Sequence, residues 1–151
     1  NTHFDEGSDE ASGTLSLSYR FERGARAITY TGDTGPSEAV TRLATGSDLL
    51  VSEVLLLEPI MAEILASRPD MPEQTRNFMR RHMSTHHIAA EDVGRMAAEA
   101  GVERLVLTHY ALPPQMQPEA SPLREEVRRH YAGPVELARD LSGFDVGCDG
   151  E

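Results

Sequence analysis

The sequence contains a single cysteine, Cys148, and no tryptophan, and its basic residues are few. One thiol excludes an internal disulfide and a cysteine-rich zinc site. No apolar run approaches the length of a bilayer-spanning helix, so we expect no membrane segment. Lysine and arginine total 14 against 25 aspartate and glutamate residues, a net charge of −11. That balance argues against broad electrostatic binding of nucleic acid or anionic lipid, and it leaves room for a bound cation.

The length of 151 residues fits one domain, and 39% hydrophobic residues are enough for a packed core. Residues 1–13 are acidic and rich in glycine and serine, so we expect an acidic loop there and a folded part over 14–151. The chain starts with Asn1 rather than Met, so we expect a fragment, a cleaved product or one half of something longer. The expected location is cytoplasmic.

Hydrophobic periodicity indicates an α/β fold with short connections and a mixed sheet. Strands are predicted at 15–22, 26–31, 48–54, 105–107 and 134–139, the first two joined as a hairpin. Helices are predicted at 38–45, 58–67, 73–83, 90–100 and 122–131. The first strand has the alternation of a half-buried strand, with four apolar residues predicted to face inward: Leu15, Leu17, Tyr19 and Phe21.

Two metal-binding residue types follow predicted strands directly. Asp33 comes after the strand that ends at Thr31, and His109 comes after 105–108. Ligands in open α/β sheets gather beyond the carboxyl ends of the strands, and zinc accepts both carboxylate oxygen and imidazole nitrogen. On spacing alone, an aspartate that stabilises a turn and a histidine that is merely hydrogen-bonded are equally compatible with these positions.

Four sequence segments are more specific than this spacing: 31–36 (TGDTGP), 43–53 (LATGSDLLVSE), 91–102 (EDVG to EAGV) and 105–109 (LVLTH). Together they resemble the metallo-β-lactamase superfamily, in particular its RNase Z and arylsulfatase-like hydrolases. The resemblance implies the C-terminal half of an αββα sandwich, a mixed sheet flanked by helices. It also implies that 1–151 is one partial domain, because the family's His-x-His-x-Asp-His motif is absent and would lie in a missing N-terminal half.

The resemblance implies a metal site. Asp33 matches the carboxylate that bridges two metal ions, His109 matches the last histidine ligand, and His3 matches a histidine ligand of the first metal. Two zinc ions are the expected cofactor, with manganese or iron as alternatives. Near the metals, His87 matches a histidine that aids proton transfer, and Glu53 matches the glutamate that supports it.

Two points at this site remain open in the sequence. His86 is an alternative to His87, which we prefer. Ser52 stands where the RNase Z segment His-Glu-Ala-Thr begins with histidine, and this departure weakens a strict tRNA-processing assignment.

The implied function is hydrolysis by a metal-bound hydroxide. The expected substrate is a small ester, lactone, sulfate ester or phosphodiester. One alternative is an RNase Z-like endoribonuclease acting on tRNA 3′ ends, and another is an inactive half-domain that serves as an assembly or binding module.

The expected partners follow from charge and from the missing half. We expect a small-molecule substrate, no membrane and no large nucleic acid, although RNA is not excluded. An uncovered sheet face would favour a homodimer. The tight arginine clusters, Arg76 with Arg80 and Arg81, and Arg124 with Arg128 and Arg129, are interpreted as solvent-exposed helix faces, and His82 is expected to face solvent.

Overall fold

A computed structural model describes residues 2–3 and 15–147. Most of the predicted acidic loop 1–13, and the thiol of Cys148, lie outside the described residues. The strands are β1 (Tyr19–Arg23), β2 (Arg26–Tyr30), β3 (Leu49–Leu55), β4 (Arg104–Ala111) and β5 (Val135–Leu137). The α-helices are α1 (Glu38–Ala44), α2 (Leu57–Ser67), α3 (Glu73–His86), α4 (Ala90–Ala100) and α5 (Leu123–Arg128), and a 3-10 helix spans Pro118–Ala120.

The strands form one five-stranded sheet in the order β1-β2-β3-β4-β5. β1 and β2 form an antiparallel hairpin, whereas β2, β3, β4 and β5 run parallel to one another. The sheet is therefore mixed, and the prediction of an α/β fold with helices beside a mixed sheet is confirmed.

One face of the sheet is covered by α1, α4 and α5. Apolar residues of α4 recur at i, i+3, i+4 and i+7 and are buried, and Gly101 ends the helix in the left-handed conformation at φ 63°. Gly94 lets α4 approach α5 closely, because a Cβ there would lie 2.4 Å from the carbonyl oxygen of Val127. The strands contribute the fully buried residues Leu50, Val54, Leu105 and Leu107 to this core.

The opposite face of β1 and β2 is apolar and exposed, which corrects one prediction. The strand begins at Tyr19 rather than at 15, and the four residues expected to face inward are exposed by 48% or more: Leu15, Leu17, Tyr19 and Phe21. The alternation is real, but the helices lie on the other face. There Arg20 donates to the carbonyl oxygens of Leu43 and Thr45.

Helices α2 and α3 form an excursion between β3 and α4. Arg80 of α3 forms an ion pair with Glu58 of α2, with Nη2 2.9 Å from Oε2. No residue of α3 with a described side chain is buried. The helix runs three residues past its predicted end, to His86, so its C-terminus reaches the sheet. Across the described residues, no helix is both long and apolar enough to cross a bilayer.

Candidate metal centre

Asp33 lies in a turn that follows β2. Thr31 continues the pairing with β3 through its N–H to Val51 O, and Gly32 then adopts φ 62°, a conformation that glycine reaches without a steric cost. The hydroxyl of Ser16 donates to the carbonyl oxygen of Asp33 at 3.0 Å. The turn at Gly32 and this hydrogen bond fix the backbone position of Asp33.

His109 is positioned by a β-bulge in β4. Ser52 pairs with Leu107 and Val54 pairs with Tyr110, so Glu53 of β3 lies opposite two residues, Thr108 and His109. His109 has φ 45°, the left-handed conformation that is uncommon for a residue with a side chain. Bulges redirect side chains, and strained conformations cluster at functional sites. Here the bulge brings His109 Nε2 to 3.5 Å from Asp33 Oδ2.

Glu53 connects the Asp33 turn to His87. Its side chain is 3% exposed, Oε1 accepts the Thr34 N–H at 2.5 Å, and Oε2 accepts His87 Nδ1–H at 2.8 Å. The hydrogen bond to Glu53 raises the pKa of His87, burial opposes that shift, and the negative charges of Glu53 and Asp33 raise the pKa further. A buried carboxylate with both oxygens occupied orients His87 firmly.

His3 completes a cluster of ligand-type atoms. Its Nδ1–H donates to the carbonyl oxygen of His86 at 3.0 Å, which leaves the lone pair on Nε2. The His3 and His87 rings meet edge to face at 5.0 Å between centroids. One side-chain donor atom from each of His3, Asp33 and His87 lies within 4.8 Å of the other two. Two imidazoles and a carboxylate are a donor set that suits zinc and similar divalent cations, so the residues fit the implied metal.

The structure thus brings all five predicted residues to one edge of the sheet: His3, Asp33, Glu53, His87 and His109. His87 lies within the three-residue cluster rather than only beside it, and His109 contacts that cluster through Asp33. The alternative residue, His86, contributes its backbone carbonyl to His3. The individual roles of these residues stay predictions.

Gly35 is a residue whose part in the site was not foreseen. A Cβ at Gly35 would lie 1.8 Å from the carbonyl oxygen of Thr85, so only glycine lets the end of α3 pack against the Asp33 turn. Gly35 lies in the 31–36 segment, but nothing in the sequence indicated its contact with a helix 50 residues away. This contact brings His86 and His87 to the site.

The site is therefore a cluster of histidine and carboxylate groups at the carboxyl ends of parallel strands, as in a metal-dependent hydrolase of mixed α/β fold. A family model described as the beta-lactamase superfamily domain matches residues 2–110. The chain belongs to the metallo-β-lactamase superfamily.

Relatives with ribonuclease Z names match most of the chain. Ribonuclease Z of Pseudomonas putida (strain W619) is 35% identical over 135 residues, covering 87% of this chain and 37% of the relative. Ribonuclease Z of Myxococcus xanthus is 36% identical over 124 residues, which cover 82% of this chain and 33% of that relative. The chain thus spans about a third of the length of these relatives.

A solved structure supports the same fold. The metallo-beta-lactamase fold protein YhfI from Bacillus subtilis superposes with a TM-score of 0.55 at 25% identity, over 83% of this chain and 41% of that protein. The five-stranded mixed sheet and its helices therefore match part of a metallo-β-lactamase fold.

Proposed function

We propose that the protein containing this chain is a metal-dependent phosphodiesterase that cleaves RNA, as its ribonuclease Z relatives are named to do. The convergence of His3, Asp33, His87 and His109 at one sheet edge carries this proposal. Among the four substrate classes considered from the sequence, the names of the relatives favour the phosphodiester.

His3, Asp33 and His109 are the proposed metal ligands. A carboxylate suits the shared position because it has two oxygens and a full negative charge, whereas the histidines each offer one nitrogen. When bound, divalent cations polarise the phosphoryl oxygens and supply a nucleophilic water at neutral pH.

His87 is the proposed proton donor to the leaving oxygen. Glu53 holds the proton on Nδ1 and fixes the ring, so that Nε2 is the atom that exchanges a proton with the substrate. The Thr34 N–H fixes Glu53 in turn. His87 also lies close enough to be a ligand, and the two roles differ in what its removal does to metal content.

The experiment compares Asp33→Asn and His87→Ala in the natural protein that carries these residues. The measurements are metal content by elemental analysis and cleavage of an RNA with a 3′ extension, with and without chelator. We expect Asp33→Asn to lose metal and to lower cleavage by more than about a hundredfold, because it removes the shared carboxylate. His87→Ala is expected to keep the metal and lose turnover.

Two matched controls accompany these variants. Asp70→Asn and His130→Ala make the same types of substitution at exposed positions outside the site and are expected to retain both metal and cleavage. Cleavage that survives the chelator, or full activity of Asp33→Asn, would contradict the proposal. A metal-free, inactive protein would instead favour the assembly or binding module.

A further inference from the structure

Helix α3 carries a large aromatic side chain that the core does not use. Phe78 is 70% exposed, and no described side chain of α3 is buried. An exposed phenylalanine gains nothing for folding, since burial is what makes a large apolar side chain stabilising. The residue therefore calls for an explanation outside the core.

The charge of α3 is opposite to that of the chain. The helix contains three arginines and one glutamate, whereas the whole chain has a net charge of −11. Arg80 is paired with Glu58, but Arg76 binds the backbone carbonyls of Met71 and Pro69, and Arg81 is exposed. Within residues 2–3 and 15–147, neither Arg76 nor Arg81 forms an ion pair with a carboxylate. Among the described residues, the helix thus presents positive charge at Arg76 and Arg81 that no carboxylate pairs with.

Phe78 begins a stripe of rings that leads to the metal centre. Phe78 and His82 lie nearly parallel, with centroids 6.3 Å apart and planes 17° apart, and both are exposed. His82 meets His86 edge to face at 4.4 Å, and His86 lies 6.3 Å from His3 between centroids. Arg81 shares this helix face, three residues after Phe78.

The stripe has the dimensions of a short stretch of polynucleotide. Eight residues separate Phe78 from His86, a rise of about 12 Å along the helix. That length equals about three or four stacked nucleotides at roughly 3.4 Å each. A strand whose phosphodiester lies at the site therefore reaches Phe78 with a nearby base.

We propose that Phe78, Arg81 and His82 form a binding surface for single-stranded RNA, on which a base about three or four nucleotides from the cleaved phosphodiester stacks. The inference rests on the proposed function for its choice of ligand. Proteins that bind single strands combine aromatic platforms with cationic side chains that track the phosphates, and α3 offers both. An exposed phenylalanine without the neighbouring arginines would not favour a polyanion.

The experiment measures RNA binding in the natural protein, with chelator present so that no cleavage occurs. The probe is a fluorescein-labelled single-stranded RNA of about twelve nucleotides, followed by fluorescence anisotropy. Phe78→Ala is expected to raise Kd about tenfold through lost stacking, and Phe78→Trp to restore it. Arg81→Gln is expected to weaken binding and to lower the slope of log K against log salt by about one. Asn77→Ala, an exposed neighbour on another face of α3, is the matched control.

Three outcomes would overturn the inference: no RNA binding, equal binding by Phe78→Ala and the unaltered protein, or binding of phosphatidylserine vesicles in place of RNA. Failure of the proposed function gives a different result. In that case RNA binding depends on Phe78 while the metal-loaded protein leaves the RNA intact. Conversely, if cleavage requires Asp33 but RNA binding does not depend on Phe78, only the proposed stacking surface is rejected.

Discussion

The helix-covered face of the sheet and the open face of the β1–β2 hairpin have opposite surroundings. On the covered face, Leu50 and Leu107 are completely buried beneath the helices. On the open face of the hairpin, Tyr19 and Phe21 are 48% and 60% exposed. Since a strand sends alternate side chains to opposite faces, both sets satisfy the same period of two. The period therefore identifies two faces, and only the placement of the helices decides which one becomes the core.

The open face also suggests a surface that a partner covers. A contiguous exposed apolar patch is typical of interaction sites rather than of monomer surfaces. The predicted N-terminal half and the predicted homodimer each supply such a cover, and both remain predictions. The variants below measure how different the two faces are, from the strongest expected effect to the weakest.

Leu50→Ala on the covered face is expected to lower the free energy of unfolding by about 2–5 kcal/mol, because it leaves a cavity in a packed core. The matched control is Leu17→Ala on the open face, where the side chain is 49% exposed. Chemical denaturation of the 151-residue chain provides the measurement. Equal losses in the two variants would abolish the distinction between the faces.

Gly94→Ala tests the helix layer on the covered face. The added Cβ meets the Val127 carbonyl at 2.4 Å, so α4 and α5 must separate, and we expect a loss of about 1–3 kcal/mol. Gly143→Ala is the control, since nothing lies within 4 Å of its added Cβ. Thermal unfolding of both variants provides the measurement. If Gly94→Ala is more stable than the unaltered chain, the higher helix propensity of alanine outweighs the clash with the Val127 carbonyl.

Asp48→Asn tests the hydrogen bonds that connect β2 to the start of β3, which belong to neither face. The Ala27 N–H and then Arg26 hold the pKa of Asp48 below its ordinary value of 3.8. A lowered pKa contributes stability that is present above 3.8 and disappears as pH falls through the lower folded value. We expect the free energy of unfolding of the unaltered chain to exceed that of Asp48→Asn by about 1 kcal/mol at pH 7. This difference should narrow toward pH 2. If urea titrations give a stability difference that does not change with pH, the lowered pKa of Asp48 is not its cause.

Phe21→Ser on the open face is expected to change the unfolding free energy of the 151-residue chain by no more than about 0.5 kcal/mol. It should also reduce self-association in analytical ultracentrifugation, because it removes exposed apolar surface. Repeating the measurement in the natural protein sharpens the comparison. If Phe21→Ser lowers the free energy of unfolding of the natural protein by more than about 2 kcal/mol but leaves that of the 151-residue chain unchanged, the rest of the protein covers this face.

Much of the fold could be predicted from local patterns. The period of α4 and its final Gly101 located the best-defined helix, and the two-sided apolar run at 48–54 located the central strand β3. The patterns did not predict which side of the hairpin faces the helices, because alternation is symmetric. They also placed the end of α3 too early, since its last turn is stabilised by packing against Gly35 rather than by its own sequence.

The candidate site was predicted by residue type and resemblance, and its geometry by neither. Asp33 and His109 could be chosen because both follow predicted strands, and in the structure their side chains lie 3.5 Å apart although His109 is inside β4. The bulge opposite Glu53 was not predicted, and β4 extends to Ala111 where the sequence indicated an end at 107. A bulge depends on pairing between strands that are distant in sequence, so a single strand's pattern does not reveal it.

The extra residue in β4 also changes which side chains after it reach the core. Leu107 and Tyr110 both pack toward the helices although three positions separate them, because the bulge shifts the alternation by one. Deleting Thr108 or His109 would leave Tyr110 two positions after Leu107, so a regular strand would still direct both side chains toward the helices. Packing of the core therefore does not require the bulge, whereas the position of the His109 imidazole does. A diverged copy without catalysis should lose the additional residue, and with it the left-handed conformation at this position.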